Sequence, residues 1–279
     1  MPVQVSWIFS LPRSGSSITA YAAAAPWGHC IADEVFGPWD RTYPPYHYPP
    51  LQIELMRAYA AAKWRMTPEV VGIANELFEV LGAPTGKVIC KHPHLRPSPE
   101  EFRAAFPDHR ALWLIRNPLR RLNSLYARGW TAVLRPNYEL DHFKAFAHHW
   151  AAERNHLSFE AMKRDPRKYF ASVYRAWGWW HEACNLDAAT GYAGATYHAS
   201  SAIVSEPGAI EAPVSEGGWH APEEAVEIYL ADPEVARLAR RLGWSTNPDA
   251  YLGARRSRIE ATLAAPPARL HPGMLAEAP

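Results

Sequence analysis

Val5-Ser6-Trp7-Ile8-Phe9-Ser10-Leu11 runs straight into Pro12-Arg13-Ser14-Gly15-Ser16-Ser17-Ile18-Thr19, and this stretch decides how the rest of the chain is read. The first seven residues are largely apolar, as in a strand covered on both faces. A Ser/Gly turn follows, and Ser16 to Ala25 has helical composition that stops at Pro26. A strand, a tight turn and a helix in that order aim backbone N–H groups and the helix's positive end into one small concavity, an anion cradle. Arg13 adds a charge at its mouth, and Ser14, Ser16, Ser17 and Thr19 add hydroxyl donors. An ordinary N-capped turn is the plainer alternative for this segment alone. It is not a Walker A loop, because G-x-x-x-x-G-K-[ST] is absent.

Outward from that turn, Lys87 to Lys91 and Arg110 to Arg116 read as two more strands, and Ser201 to Val204 as another. Helices are expected over Leu51 to Trp64, over Pro68 to Leu81, from Pro97 to before Pro107, and from Pro118 to about Arg128. The second of these is well signalled, with Thr67 as N-cap, Pro68 at the first position and Gly82 at the end. Long helices are expected over Asp141 to Arg164 and Pro166 to Cys184, and two short ones between Pro222 and Leu242. Strands alternating with helices imply an α/β fold, a central parallel sheet flanked by helices in three layers. Residues 1–264 read as a single α/β domain and the Pro/Ala-rich residues 265–279 as a loose tail.

The second motif is Ile115-Arg116-Asn117-Pro118-Leu119-Arg120-Arg121-Leu122-Asn123-Ser124, again at a strand end leading into a helix. Arg116 stands at the carboxyl edge of its strand, where ligands bind in open α/β sheets. Alone it is a solvated charge before a helix. Two anion-suited strand ends in one chain suggest a ligand with two separated phosphate-like groups.

Arg13-Ser14-Gly15-Ser16-Ser17 resembles the loop with which PAPS-dependent sulfotransferases hold the 5′-phosphosulfate, in its bacterial and carbohydrate-type version. Arg116-Asn117-Pro118 with Ser124 resembles their 3′-phosphate motif, R-[DN]-P-x-x-x-x-x-S. The resemblance implies a P-loop-like α/β fold and in-line transfer of a sulfonate from PAPS to a hydroxyl or amine, with PAP as product and no metal. It further implies that Gly15, Ser16 and Ser17 hold the 5′-phosphate through backbone N–H groups. Arg13 would neutralise the departing oxygen, and Arg116 and Ser124 would bind the 3′-phosphate. At the position of the adenine-stacking Trp of cytosolic members this chain has Ile18.

The acceptor loses a proton as it attacks, so a base is expected near the sulfonate. Glu34, in Ala32-Asp33-Glu34-Val35, resembles the catalytic Glu of several carbohydrate-type members and is favoured. His92, in Lys91-His92-Pro93-His94, comes second, with His94 and Asp33 behind. A metal held by His92 and His94 is disfavoured for want of neighbouring ligands. Trp39, Tyr43, Tyr46 and Tyr48 in a Pro-stiffened loop suit an acceptor wall, and Trp177, Trp179 and Trp180 are further candidates against the alternative of core packing. Arg255, Arg256 and Arg258 resemble, in position only, a late 3′-phosphate segment.

The chain has 279 residues, with 29 Lys+Arg against 28 Asp+Glu, a balance that argues against bulk attraction to nucleic acid or anionic membrane. Three widely spaced cysteines and no cleavable leader or spanning run point to a reducing, cytoplasmic setting. The expected partners are a small-molecule or carbohydrate acceptor and, among assemblies, a homodimer. A P-loop-type nucleotide kinase and a non-catalytic nucleotide-binding protein are the competing readings.

Overall fold

The computed structural model describes residues 2–28, 30–37, 48–94, 96–127, 136–194 and 219–253. Strand β1 (Gln4–Ser10) lies at the centre of a five-stranded, all-parallel sheet. It pairs with β3 (Lys87–His92) on one side and β4 (Arg110–Ile115) on the other. Beyond β3 comes β2 (Ile31–Asp33), and beyond β4 comes β5 (His156–Ser158), in the order β2-β3-β1-β4-β5.

Helices cover both faces, so β1 is buried along its length after Gln4. Trp7 and Phe9 point to one layer, against the rings of Phe36, Phe102 and Phe106. That layer holds α2 (Pro50–Ala61), α3 (Pro68–Gly82), α4 (Pro99–Ala105), α5 (Pro118–Tyr126), α6 (Pro136–Ala152), α10 (Glu223–Ala231) and α11 (Pro233–Leu242). Ile8 points to the other, with α1 (Ser16–Ala24), α7 (Phe159–Arg164), α8 (Pro166–Trp177) and α9 (Ala183–Gly194). Alternate residues of a strand face opposite ways, so one apolar run supplies both cores. This is the three-layer α/β architecture the sequence implies.

Three expectations are corrected. The helix expected over Asp141 to Arg164 is α6, then β5, then α7; the three-residue strand pairs with Trp113, Leu114 and Ile115 of β4. The helix expected over Pro166 to Cys184 ends at Trp177, because Gly178 takes the left-handed conformation (φ 67°) that closes α8. The helix expected from Pro97 starts at Pro99, where Ser98 and Glu101 form a capping box. Strand β2 was not anticipated. The strand expected at Ser201 to Val204 and the 265–279 tail lie outside the described residues. Among the described residues no helix is long and apolar enough to cross a membrane.

The strand order places the site. The chain leaves β1 toward β2 at one edge and leaves β4 toward β5 at the other. Connections that depart in opposite directions open a crevice at the carboxyl ends of β1 and β4, the position where open α/β sheets bind ligands.

Candidate active site

The turn between β1 and α1 is held by backbone and by neighbours. Gly15 has φ 88° and Arg13 has φ 66°, both in the left-handed region. A Cβ on Gly15 would lie 2.2 Å from the Phe159 ring, so glycine is required for space as well as for conformation. Arg13, which has a Cβ, holds its conformation at a cost of about 1 kcal/mol. The first bond of α1 runs from Thr19 N–H to Gly15 O, at 3.1 Å. The preceding N–H groups of Ser16, Ser17 and Ile18 thus belong to the open N-terminal turn. Ser14 and Ser16 are buried in the loop, and Ile18 packs on the α1, α8 and α9 layer.

The second motif closes on the first because β1 and β4 are neighbours. Arg13 Nε donates to Ser124 Oγ at 3.0 Å, and Arg116 Nη1 donates to the Arg13 carbonyl at 2.9 Å. The Arg116 guanidinium lies 5.1 Å over the Phe159 ring. One aromatic floor therefore supports both Gly15 and Arg116. Asn117 caps α5, its side chain accepting from Leu119 and Arg120 N–H. The Glu160 carboxylate accepts from Asn117 N–H (2.9 Å), Ser158 Oγ (2.5 Å) and Trp244 Nε1 (3.2 Å), which fixes the turn after β4.

Arg116 carries a desolvated charge. Its Nε is buried with no hydrogen-bond partner. Burial lowers its pKa to about 10, Glu160 opposes that shift, and Arg120 and Arg121 add to it. A desolvated guanidinium with an unused donor favours an anion beside it.

On the other side of β1, the ends of β2 and β3 build a charged cluster against α1. Lys91 Nζ, fully enclosed, lies 2.7 Å from Asp33 Oδ1, 3.6 Å from Glu34 Oε1 and 3.0 Å from Ser17 Oγ. Glu34 turns the chain after β2 with φ 52°; its N–H donates to Lys91 O at 2.8 Å and its carbonyl accepts from Gly37 N–H at 2.7 Å. Burial pushes the Glu34 carboxyl up, Lys91 opposes this and Asp33 adds to it. Burial lowers the Lys91 pKa, but Asp33 and Glu34 outweigh it and the net shift is upward. Lys91 therefore stays an ammonium, and burial makes the Glu34 carboxylate readier to take a proton.

The structure thus brings together Arg13, Ser14, Gly15, Ser16, Ser17, Arg116 and Ser124, with Glu34 and Asp33 reached through Lys91. His92 is separated from them. It alternates with Lys91 along β3, so its ring enters the opposite layer against Phe9 and Phe36. Its Nε2 meets the Arg96 carbonyl, and burial lowers its pKa to about 3. His94 lies at the rim, Nε2 3.9 Å from Glu34 Oε2. Trp177 and Trp179 are core residues at the wrong end of the sheet. Trp179 and Trp27 meet edge to face beside Lys87, the first residue of β3, with the ammonium 5.5 Å and 5.6 Å from their ring centres. Trp180 is exposed. Trp39, Tyr43, Tyr46, Arg255, Arg256 and Arg258 lie outside the described residues. Among the described residues no group of three or more His, Cys, Asp or Glu could hold a metal ion.

Sequence reasoning missed Lys91, Phe159 and Glu160 as site residues. Lys91 carried a signal, since a cation at the buried carboxyl end of an apolar strand is unusual. Phe159 and Glu160 carried none, because they fell inside an expected helix.

The buried imidazoles predict acid sensitivity. His92 sits at about 3, and burial also lowers His94 and His109 to about 4. Trp7 Nε1 donates to His109 Nδ1 at 3.0 Å, which requires that nitrogen unprotonated. The unfolded chain binds these protons first, near pH 6.5, so stability is full above that value and falls as pH drops toward 4. His92 alone removes about 2 kcal/mol between pH 6.5 and 5. Glu34, with its raised pKa, works in the opposite direction but is a single group. Urea midpoints are expected to be flat above pH 7 and to decline steadily below 6.5; a midpoint constant from pH 7 to 5 would contradict neutral imidazoles.

No family model and no curated protein matches this chain. Among solved structures it is similar to mouse sulfotransferase SULT7A1 complexed with PAP, at 12% identity over 94% of this chain and 89% of that one, with a TM-score of 0.45. It is also similar to sulfotransferase STF9 from Mycobacterium avium, at 14% identity over 88% of this chain and 78% of that one, TM-score 0.49. The sulfotransferase domain of a Synechococcus olefin synthase is similar at 16% identity, over 88% of this chain and 96% of that domain, TM-score 0.46.

Proposed function

We propose that this chain is a PAPS-dependent sulfotransferase acting on a hydroxyl or amine of a small-molecule or carbohydrate acceptor. The observation that carries the reading is the layout along the carboxyl edge of the sheet. From β5 inward it runs from Arg116 and Ser124, through the cradle at Gly15, to Lys91 with Asp33 and Glu34. A nucleotide with two separated anionic groups fits that order, its 3′-phosphate toward Arg116 and its sulfonate toward Lys91. The buried, unpartnered Arg116 Nε supports the first placement, and the open N-terminal turn of α1 supports the second.

PAPS, when bound, supplies an activated sulfonate whose S–O bond to the 5′-phosphate breaks as the acceptor atom bonds sulfur. The residues of this chain position and neutralise, as in phosphoryl transfer. Backbone N–H groups of Gly15, Ser16 and Ser17 bind the 5′-phosphate. Arg13 stabilises negative charge on the departing oxygen, and Arg116 and Ser124 hold the 3′-phosphate. Lys91 steadies the sulfonate oxygens from beside Ser17. Glu34, which Lys91 holds less closely than it holds Asp33, takes the acceptor's proton. His92, bonded to the Arg96 carbonyl inside the aromatic layer, packs the end of β3.

The test is ligand-dependent melting with and without Mg²⁺. PAP alone is expected to raise Tm, by about 2.7 kcal/mol of added stability at 100 times Kd. In Glu34→Gln that shift persists while transfer to any acceptor found for the wild type disappears. Stabilisation by Mg-ATP and not by PAP overturns the reading in favour of a kinase.

A further inference from the structure

Arg121 lies in the first turn of α5, whose cap Asn117 directly follows Arg116, and it has no part in the reading above. It is nearly inaccessible, at 1% exposure, yet carries a full charge. Nη2 pairs with the buried Glu139 carboxylate of α6, and Nη1 donates to the Pro12 carbonyl at 3.4 Å. Pro12 has no N–H, so its carbonyl is the only hydrogen-bonding handle on that residue. The next carbonyl, that of Arg13, is the one Arg116 holds at 2.9 Å. Two arginines five positions apart, one just before α5 and one in its first turn, therefore grip two consecutive carbonyls of the cradle, on either side of the Arg13 α-carbon with its left-handed conformation. A non-glycine residue keeps that conformation only when its surroundings over-determine it.

We propose that Arg121 is a positioning residue that fixes the phosphate cradle through Pro12, with Glu139 as the counter-charge that makes its burial tolerable. The proposal rests on the PAP-binding reading. The charge of Arg121 is neutralised by Glu139, so it acts on the anion through loop geometry and not through attraction. If the grip on Pro12 is lost, Arg13 relaxes out of its left-handed conformation, its side chain leaves Ser124, and the N–H groups of the cradle no longer converge.

The experiment measures PAP affinity by calorimetry, at a temperature where melting curves show every variant folded. Wild-type protein that fails to bind PAP refutes the functional reading itself; the variants test Arg121 once the wild type binds. Arg121→Lys keeps a cation for Glu139 but one ammonium cannot reach both partners, and PAP Kd is expected to rise about tenfold. Arg121→Met combined with Glu139→Gln leaves no buried charge, so it folds, and shows a similar loss. Glu139→Gln alone keeps the guanidinium on Pro12; its Tm falls but its PAP Kd stays within about twofold of wild type. The salt dependence of PAP binding is expected to be unchanged in the Arg121 variants, since no phosphate contact is removed. Folded Arg121→Lys or double-variant protein binding PAP like the wild type overturns the proposal. So does an equal loss of affinity in Glu139→Gln, which would mark the pair as structural only, or a flattened salt dependence, which would make Arg121 a direct phosphate ligand.

Discussion

Arg116→Met is expected to weaken PAP binding about 100-fold while leaving the free protein as stable as the wild type or slightly more so. The two halves of this result have one cause. In the free protein Arg116 is a desolvated guanidinium whose Nε bonds to nothing and whose pKa is pulled down to about 10. It gives the fold one hydrogen bond, to the Arg13 carbonyl, and a stacking contact on Phe159. Methionine keeps the stacking contact and removes the desolvated charge, so the fold loses little. A bound 3′-phosphate would occupy the idle donors with charge-assisted bonds, which methionine cannot offer. Calorimetric titration with PAP, paired with melting curves of the free proteins, reads both quantities. Affinity within threefold of the wild type would remove Arg116 from the ligand site.

Lys91→Met is expected to be the most destabilising single substitution in the site, by about 3–5 kcal/mol at pH 7.5, because it strands two carboxylates around an apolar group. Lys91 is the cation for Asp33 at 2.7 Å and for Glu34 at 3.6 Å, and it anchors Ser17 at the start of α1. Its loss raises the Glu34 carboxyl further, since burial and Asp33 already push it up and only Lys91 opposes them. The variant's deficit relative to the wild type should therefore shrink as pH falls through the raised Glu34 value, on top of the trend the histidines set in both proteins. Adding Asp33→Asn and Glu34→Gln should restore much of the stability at pH 7.5 without restoring transfer. Chemical denaturation at pH 7.5 and 5.5 separates these outcomes. A Lys91→Met deficit that is the same at both pH values would mean that the carboxylates are not what the substitution strands.

How much of this was legible beforehand differs from residue to residue for physical reasons. The cradle could be read because every requirement is local: an apolar strand, a glycine able to take φ 88°, and hydroxyl-rich residues opening a helix lie within fifteen positions. Arg116 and Ser124 could be read for the same reason, as a strand end, an Asn cap and a first turn begun by Pro118. His92 and Lys91 could not be told apart by their neighbours in the chain. Which one faces Ser17 depends on the register of β3 on β1, which pairs Ile8 with Lys91 and Phe9 with His92. One step along the strand exchanges a cation beside the cradle for a core imidazole.

Phe159 and Glu160 were hidden more deeply. A strand of three residues, His156 to Ser158, is too short to show a period of its own, so the helical pattern around it swallowed both residues. Only pairing with β4 makes that segment a strand and carries Phe159 beneath Gly15 and Arg116. The sequence by itself determined an α/β chain with two anion-suited strand ends, because backbone conformation and helix capping are set within a few residues. The tertiary structure alone decided that these ends share one crevice, that Lys91 joins them to Glu34, and that an aromatic floor and a second arginine hold the loop in place. Those contacts join residues 43 or more positions apart, and strand order and register, not local preference, determine which of them meet.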